Sequence, residues 1–261
     1  MGATAAVSDR GVFGVEVHRP RTVDEALHLR GQHPDAPYVA GGTWVMRAPQ
    51  RGEALPAHAI LLNGVAGLDH ASIDGTCELG ALVTLAHIAA VTRGAGDLQA
   101  LTEASSLAAT PALRRMITLG GSLAADAFWA SDIVPALLCL DAEIVRQGDL
   151  ITGVRISRTG KASCHERLTW RSGGEYSVAS VSIARAGDSL RIAIGSVEAC
   201  PRRWTELEDA AGSGPMTPER LRDLARSLVD DLDAVSAPGI PADYRRTVLP
   251  EVVARATARI A

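Results

Sequence analysis

The stretch PYVAGGTWV, residues 37–45, places two adjacent glycines directly after a short apolar run. An apolar run that stops at Gly41 and Gly42 is typical of a buried strand that ends in a tight turn. A second passage, MITLGGSLA at residues 116–124, repeats the pattern of apolar residues, two glycines and a hydroxyl residue. Because glycine permits a closer approach than any Cβ would, the two passages predict either plain turns or close contact with a ligand.

The two glycine pairs have the chemistry of a phosphate site. Successive backbone N–H groups at a Gly-Gly step can converge on one concavity, and such a nest binds phosphate oxygens. Thr43 and Ser122 follow their glycine pairs and add a hydroxyl donor on each side. Neither passage matches the dinucleotide fingerprint G-x-G-x-x-G, and the chain has no Walker A sequence. The residues alone therefore leave a pyrophosphate site and two ordinary turns both open.

The N-terminal part of the chain is predicted as a small α/β unit. TVDEALHLRGQHP begins with Thr22 as a helix cap, has Glu25 at the capping-box position, and carries an apolar stripe that ends before Gly31. APYVA then predicts a strand that ends at the first glycine pair, and AILLNG predicts a second strand. CELGALVTLAHIAAV has strand character at first and is expected to become helical near Thr84.

The middle of the chain predicts helices and strands around the second glycine turn. Residues 98–113 predict a helix with Pro111 close to its end, and the run from Ile133 to Ile144 predicts a helix followed by a strand. From about residue 150 the pattern alternates, and LITGVRI, CHERLTW, SVASVSIARAG and SLRIAIGSVEA together predict an antiparallel sheet.

The C-terminal part predicts two long helices. TPERLRDLARSLVDDL is amphipathic, with Thr217 as its cap and Pro218 in its first turn, and the final helix is expected to be interrupted at Pro250.

Composition restricts the partners and the location of the protein. The chain has 261 residues and a net charge of −4, which argues against a nucleic-acid partner held by general electrostatics. No apolar run is long enough to span a bilayer and no signal peptide is recognised, so a soluble cytoplasmic protein is expected. The cysteines are scattered without a C-x-x-C pair, so neither an iron–sulfur cluster nor another metal site is predicted.

Several passages resemble the FAD subunits or domains of the molybdenum hydroxylases, the flavoprotein family of carbon monoxide dehydrogenase and xanthine dehydrogenase. VAGGTWV resembles the first FAD-binding segment of that family. LRRMITLGGSLAADAFWASDIVPALLCLDAEIV resembles the second, with Asp132 ahead of the PALLCLDA run. LGALVTLAHIA, IAIGSVEACPRRW and ADYRRTVLPEVVARA are similar to further landmarks, so the resemblance covers most of the chain in order.

The resemblance implies an α+β FAD-binding fold of the vanillyl-alcohol-oxidase/molybdopterin-dehydrogenase type, with a C-terminal antiparallel sheet plus helices. It also implies an N-terminal α/β domain, a middle α+β domain and a C-terminal sheet-and-helix domain, which would span residues 1–66, 67–150 and 151–261. FAD would lie extended between the first two domains, with its pyrophosphate facing both glycine passages. Asp132 would accept hydrogen bonds from ribityl or ribose hydroxyls. The cofactor-binding residues implied in this way are Ala40, Gly41, Gly42, Thr43, Trp44, Thr118, Gly120, Gly121, Ser122 and Asp132.

The chain departs from the family pattern on the side of the flavin ring. The family continues after DAEIV through a charged hairpin and a Phe-rich segment, whereas here RQGDLITGVRI follows Val145 directly. We therefore hypothesise that the pyrophosphate half of the site is retained and the ring half is rebuilt. Tyr176, in the segment SGGEY, is a hypothetical proton donor, although a solvated turn between strands explains this segment better. Aromatic residues available to the ring are Trp44, Phe128, Trp129, Trp170 and Tyr176, and burial in a core is the expected role of each.

Other titratable residues give no clear site. His87 is expected to be a structural histidine in an apolar stripe, and His58, His70 and His165 have no nucleophile or carboxylate at a telling spacing. Asp126 and Asp132 permit a paired-carboxylate site, although helix capping and FAD binding explain them better.

Three functions remain open from the sequence. The first is the flavoprotein subunit of a molybdenum-hydroxylase-like complex, in which FAD transfers electrons between iron–sulfur and molybdopterin partner chains and an acceptor. The second is a stand-alone flavin-dependent oxidase or dehydrogenase that acts on a small molecule in a biosynthetic pathway. The third is a scaffold protein, related to these enzymes, that has lost its flavin.

Overall fold

The computed structural model describes residues 9–10, 14–125, 128–158, 160, 162–171, 175–187 and 189–260. Asp126 and the first three residues of SGGEY lie outside these ranges. Among the described residues, strands and helices are interspersed along the chain, and the strands form three sheets. This arrangement confirms the predicted α+β class. None of the helices in these ranges is both long and apolar enough to cross a membrane.

The N-terminal sheet has the strand order β1-β2-β4-β3, in which β2 and β3 pair with β4 in parallel and β1 pairs with β2 in the antiparallel sense. Helix α1 follows β2 and begins as predicted, because the Thr22 hydroxyl accepts a hydrogen bond from the Glu25 N–H at 3.2 Å. The elements are β1 Asp9–Arg10, β2 Glu16–His18, α1 Val23–Gln32, β3 Tyr38–Val39 and β4 His58–Leu61.

Helix α1 lies within the predicted stretch TVDEALHLRGQHP, whereas strand β4 differs from its prediction. The helix continues through Gly31 to Gln32, because one glycine lowers helix stability without ending the hydrogen-bond ladder, and the His33 N–H donates to Leu29 O at 2.9 Å. The strand predicted for AILLNG is shorter than expected, since β4 ends at Leu61 and a 3₁₀ turn occupies residues 62–64.

The middle sheet is antiparallel and has the order β5-β6-β8-β7. Helices on this sheet enclose a core that includes Leu79, Leu101 and Leu119. The strands are β5 Ala71–Ser72, β6 Thr76–Gly80, β7 Glu143–Gln147 and β8 Leu150–Ser157. The helices are α2 Leu85–Val91, α3 Gln99–Leu107, α4 Pro111–Arg114, α5 Leu119–Ala124 and α6 Ile133–Cys139.

The prediction of one helix over residues 98–113 is wrong. Helix α3 ends at Leu107, and Pro111 is the first residue of the separate helix α4, whose cap is Thr110. Proline lacks an N–H group, so it is tolerated at a helix start, where that donor has no partner within the helix.

The second glycine pair also differs from the expected turn, because Gly120 and Gly121 lie inside helix α5. The Thr118 hydroxyl caps this helix by accepting a hydrogen bond from the Gly121 N–H at 3.2 Å. The sequence TLGGS resembles a strand followed by a turn, but the hydroxyl cap starts a helix there instead.

The C-terminal sheet has the antiparallel order β12-β11-β10-β9, and helices α7 to α9 cover its core. Its strands are β9 Ala162–Thr169, β10 Ser177–Ala186, β11 Ser189–Gly195 and β12 Arg202–Arg203. The helices are α7 Thr205–Ala211, α8 Pro218–Leu228 and α9 Ala242–Ala258.

Two corrections follow for the C-terminal region. The strand of LITGVRI is β8, which pairs with β6 and β7 in the middle sheet and not with the C-terminal strands. Helix α9 continues through Pro250, and the burial of Leu249, Val252 and Val253 against β9 and β10 holds it together despite the lost hydrogen bond. The domain limits 1–66, 67–150 and 151–261 stay a prediction.

Candidate functional site

A cavity of about 940 Å³ lies where the first glycine turn, helix α5 and the segment before β10 meet. This volume is typical of sites that bind small molecules and cofactors. Of the residues that the resemblance implies for cofactor binding, only Gly120 is absent from the cavity wall. The others that line it are Ala40, Gly41, Gly42, Thr43, Trp44, Thr118, Gly121, Ser122 and Asp132.

The two glycine passages touch each other at this cavity. A Cβ built on Gly41 would lie 1.7 Å from the carbonyl oxygen of Met116. No side chain fits at that distance, so position 41 requires glycine for backbone packing. The contact brings residues 40–44 and the start of helix α5 to the same cavity, as the pyrophosphate hypothesis requires.

The first glycine turn presents its backbone donors to the cavity. The N–H groups of Gly41, Gly42, Thr43 and Trp44 donate no hydrogen bond to any other part of the chain that the structure describes. Gly42 has φ of +69°, a left-handed conformation that glycine adopts without strain. Unpaired donors of this kind need an acceptor, which water or an anionic ligand can supply.

The second passage contributes hydroxyl groups more than backbone donors. The Gly120 N–H donates to Ala81 O at 2.8 Å, and the Ser122 N–H donates to Thr118 O at 3.0 Å. A Cβ on Gly120 would lie 2.8 Å from Ala81 Cβ, so this glycine serves packing behind the wall. Because Thr118 Oγ1 accepts from the Gly121 N–H, its own proton remains available to a ligand in the cavity.

Arg47 and Arg51, which follow the first glycine pair, are among the residues that line the cavity. The Arg51 guanidinium lies 4.1 Å from the centre of the Trp44 ring and forms an ion pair with Glu53 at 2.7 Å. Arg47 donates a hydrogen bond to the Tyr176 hydroxyl at 2.9 Å and forms no ion pair with a described residue. The only signal in the sequence was their position shortly after the glycine pair, in VMRAPQR.

The aromatic residues form a cluster at the cavity, and not in a core as expected. Ring centres are separated by 5.5 Å for Trp44 and Phe128, by 5.3 Å for Phe128 and Tyr176, and by 6.1 Å for Trp129 and Tyr176. Trp170 and Tyr176 are 52% and 46% exposed, which corrects the prediction of burial for both. The shared cavity explains the exposure, because these rings face a space that a ligand can fill.

Asp132 lies at the cavity wall but is held by protein groups. Its carboxylate accepts hydrogen bonds from Arg167 at 2.6 Å and from the Ser177 hydroxyl at 2.9 Å, and His165 Nε2 lies 3.4 Å away. His165 is fully buried, and its Nδ1 pairs with the Ser182 hydroxyl at 2.8 Å. The sequence offered no sign of this network, since its members are distant along the chain.

The remaining predicted residues do not join the site. His87 is exposed on helix α2, so the expectation of a structural histidine in an apolar stripe is wrong. The hypothesis of an Asp126–Asp132 pair concerns a residue outside the described ranges. His70 Nδ1 donates a hydrogen bond to the carbonyl oxygen of Gly67 at 2.8 Å and does not line the cavity.

Two family models match the chain. The FAD binding domain in molybdopterin dehydrogenase matches residues 13–154, and the CO dehydrogenase flavoprotein C-terminal domain matches residues 171–260. The chain belongs to the FAD-binding flavoprotein family of the molybdopterin dehydrogenases. FAD is therefore its cofactor, and the chain is an FAD-dependent oxidoreductase or a subunit of one.

Curated members of this family are similar over nearly the whole chain. The carbon monoxide dehydrogenase medium chain of Afipia carboxidovorans is 25% identical, over 94% of this chain and 96% of the relative. The xanthine dehydrogenase FAD-binding subunit of Escherichia coli O157:H7 is 22% identical, over 92% of this chain and 95% of the relative.

Solved structures share the fold. A chain of carbon monoxide dehydrogenase from Hydrogenophaga pseudoflava superposes with a TM-score of 0.86 at 22% identity, covering 97% of this chain and 98% of that one. A chain of quinoline 2-oxidoreductase from Pseudomonas putida 86 gives 0.82 at 19% identity, with 97% and 98% coverage. The fold predicted from the resemblance is thereby confirmed.

The chemistry of the cavity fits FAD. The unpaired N–H groups of the first turn and the Arg47 guanidinium suit the anionic pyrophosphate, and the Thr118 hydroxyl in the same cavity suits its oxygens. The exposed rings around Tyr176 suit a planar aromatic group.

Proposed function

We propose that this chain is the FAD-binding subunit of a molybdenum-hydroxylase-like complex, in which it passes electrons between an iron–sulfur partner chain and an acceptor. The observation that carries the proposal is the cavity that both glycine passages line, with Gly41 packed on Met116. Relatives that are named as the medium chain or the FAD-binding subunit of larger enzymes support the assignment to a complex. A molybdopterin chain would complete the assembly.

The pyrophosphate of FAD would be held from two sides. On one side, the N–H groups of Gly41, Gly42, Thr43 and Trp44 and the Thr43 hydroxyl would donate hydrogen bonds. On the other side, the Thr118 hydroxyl would donate, whereas the Ser122 hydroxyl already donates to Thr118 O at 3.0 Å. Arg47 would offset the negative charge, because it lines the cavity without an acidic partner among the described residues.

The ring of FAD would lie among Trp44, Phe128 and Tyr176. Bound FAD supplies hydride and electron transfer, and the protein contributes orientation and exclusion of water. The Tyr176 hydroxyl accepts a hydrogen bond from Arg47 and keeps its own proton to donate, which is consistent with the hypothesised role as a proton donor. Asp132 would act chiefly by fixing the positions of Arg167 and Ser177, which donate hydrogen bonds to its carboxylate. Any hydrogen bond from an FAD hydroxyl would use the remaining lone pairs of that carboxylate.

Metal analysis of the protein from its native host tests the subunit assignment. The tagged chain is purified under mild conditions, and its molybdenum, iron and flavin contents are measured after size-exclusion chromatography. Molybdenum and iron that co-elute with FAD in a constant ratio are expected. A chain that elutes alone, contains FAD and oxidises a small molecule would overturn the complex in favour of the stand-alone enzyme. The cytoplasmic location stays a prediction, to be tested by cell fractionation in the same experiment.

A further inference from the structure

Three histidines from separate segments meet in the N-terminal unit, away from the cavity. His18 is the last residue of β2, His58 is the first residue of β4, and His33 follows the end of helix α1. Strands β2 and β4 are parallel, with Glu16 opposite His58 in register. Glu16 and His18 are two residues apart on one strand, so they share the face of the sheet on which His58 lies.

The three imidazole rings are close together. Their centres are 4.0 Å apart for His33 and His58, 4.6 Å for His18 and His33, and 5.4 Å for His18 and His58. One nitrogen from each ring can be chosen so that all three lie within 4.8 Å of one another. His18 is buried and the other two are half-buried, so the cluster is part of the folded unit and not a chance surface contact.

We propose that His18, His33 and His58 bind a divalent transition-metal ion of the Zn²⁺ type. His18 Nε2 and His58 Nδ1 are 3.2 Å apart. Two imidazole nitrogens on a tetrahedral Zn²⁺, each about 2.0–2.1 Å from the metal, are separated by about 3.3–3.4 Å. The observed pair thus already has nearly the spacing of two ligands, and His33 offers a third nitrogen within 4.8 Å of the other two.

A carboxylate stands beside the three nitrogens. Glu16 Oε2 is 3.7 Å from the same His58 Nδ1 that faces His18. Three histidine nitrogens with a carboxylate or water oxygen form a common zinc-ligand set.

The proposed ion would join three elements of the N-terminal unit. It would tie the end of β2 to the start of β4 and to the end of α1. The segment that follows His33 leads through Asp35, which lines the cofactor cavity, to β3 and the first glycine turn. None of the three histidines lines that cavity, so the ion would have a structural role that is separate from FAD.

Zinc titration of the tag-free full chain tests the site. Protein stripped with a chelator is titrated with Zn²⁺ in competition with a chromophoric chelator, and its melting temperature is recorded with and without Zn²⁺. We expect tight equimolar binding and a higher melting temperature. His33→Gln and His58→Gln should each weaken binding by at least about 10-fold, since loss of a ligand costs no less than loss of a supporting contact. His87→Gln, at an exposed histidine on α2, is the matched control and should bind as the wild type does.

Cobalt distinguishes a built site from adventitious binding. Co²⁺ in the wild-type chain should show the intense visible absorption bands of tetrahedral nitrogen coordination. The His33→Gln and His58→Gln variants should lack these bands. Circular dichroism of the metal-free variants checks that they fold. Weak binding by the wild type, or an equal loss of binding in His87→Gln, would overturn the proposal and leave a metal-free histidine cluster held by the His18–His58 hydrogen bond.

Discussion

At the scale of single residues, the first glycine pair shows what sequence can reveal about a site. GGT after a strand left a plain turn and a close ligand contact both open, and the structure shows that Gly41 packs closely on the Met116 carbonyl oxygen. The partner of the approach was not predictable, because Met116 is distant along the chain. Arg47 was missed for a related reason, because its role in the 3₁₀ helix at residues 45–51 is evident only once the fold brings it to Tyr176.

We expect Gly41→Ala to lower both stability and FAD content. The new Cβ would meet the Met116 carbonyl, so the two passages must separate, and a backbone clash of this kind costs roughly 1–3 kcal/mol or more. Urea unfolding and flavin absorbance measure the two effects. Gly31→Ala is the control, since a Cβ there meets nothing within 4 Å and replaces glycine inside a helix. It should raise stability by about 0.5–1 kcal/mol and leave FAD content unchanged.

Arg47→Gln should weaken FAD binding by about 10-fold, because a hydrogen bond to a charged group contributes roughly 1.5 kcal/mol. Fluorescence titration of the flavin-free protein measures the dissociation constant. Arg226→Gln, on the exposed face of helix α8, removes an arginine far from the cavity and should have no effect. Equal affinity of the Arg47 variant and the wild type would exclude Arg47 from the pyrophosphate site.

At the scale of elements, the sequence signals for the start of a helix were more reliable than those for its end. Thr22, Thr84 and Thr217 each cap the helix that the sequence placed after them. Pro250 was expected to interrupt a helix, but burial of that helix against the C-terminal sheet outweighs the lost hydrogen bond. The second glycine pair was misassigned as a turn because the hydroxyl cap, and not the glycines, decides the local structure there.

A comparison of Thr118→Val with Thr217→Val should separate the effect of losing a helix cap from the effect of losing a contact with FAD. Thr118→Val removes the cap of α5 and a hydroxyl from the cavity wall, so we expect a loss of about 1 kcal/mol in stability together with weaker FAD binding. Thr217→Val removes the matching cap of α8, where the Thr217 hydroxyl accepts from the Arg220 N–H at 3.3 Å. It should cost a similar amount in unfolding free energy with unchanged FAD affinity. Equal effects of both variants on FAD would contradict a direct role for Thr118.

At the scale of the whole molecule, the middle and C-terminal sheets share contacts that no local pattern predicted. Ala184 and Ala193 of the C-terminal sheet pack into the core of the middle unit. Near the end of β8, Arg158 forms a two-pronged ion pair with Asp97 at 2.8 and 2.9 Å, and the Ser163 hydroxyl of β9 donates to Asp97 O at 3.0 Å. Such long-range pairs depend on the finished fold, which a single sequence does not display.

The Asp97–Arg158 pair should make stability depend on acid pH. The hydrogen bonds from Arg158 are the main reason that the pKa of Asp97 lies below its usual value. The pair therefore stabilises the fold above the unfolded-state pKa of about 3.9, and this contribution is lost as the pH falls through the lower pKa of the folded state. Asp97→Asn should lower the urea midpoint at pH 7, and its difference from the wild type should shrink below about pH 4.

Asp223→Asn provides the control for this pH series. Asp223 pairs with Arg226 on the surface, where both side chains are more than 60% exposed. Solvent screens such pairs, so this variant should unfold at nearly the wild-type urea concentration at either pH. A pH-independent effect of Asp97→Asn would mean that the carboxylate charge does not contribute.

The ring cluster at the cavity has a further consequence for how the protein can be observed. Trp44 and Trp170 line the cavity and Trp129 packs beside Tyr176, whereas Trp204 is 1% exposed within the C-terminal core. Indole emission overlaps flavin absorption, so light absorbed by the first three tryptophans would pass to a bound flavin instead of being emitted. The tryptophan fluorescence of the chain should therefore decrease as FAD binds, so its intensity reports how much of the cofactor site is occupied.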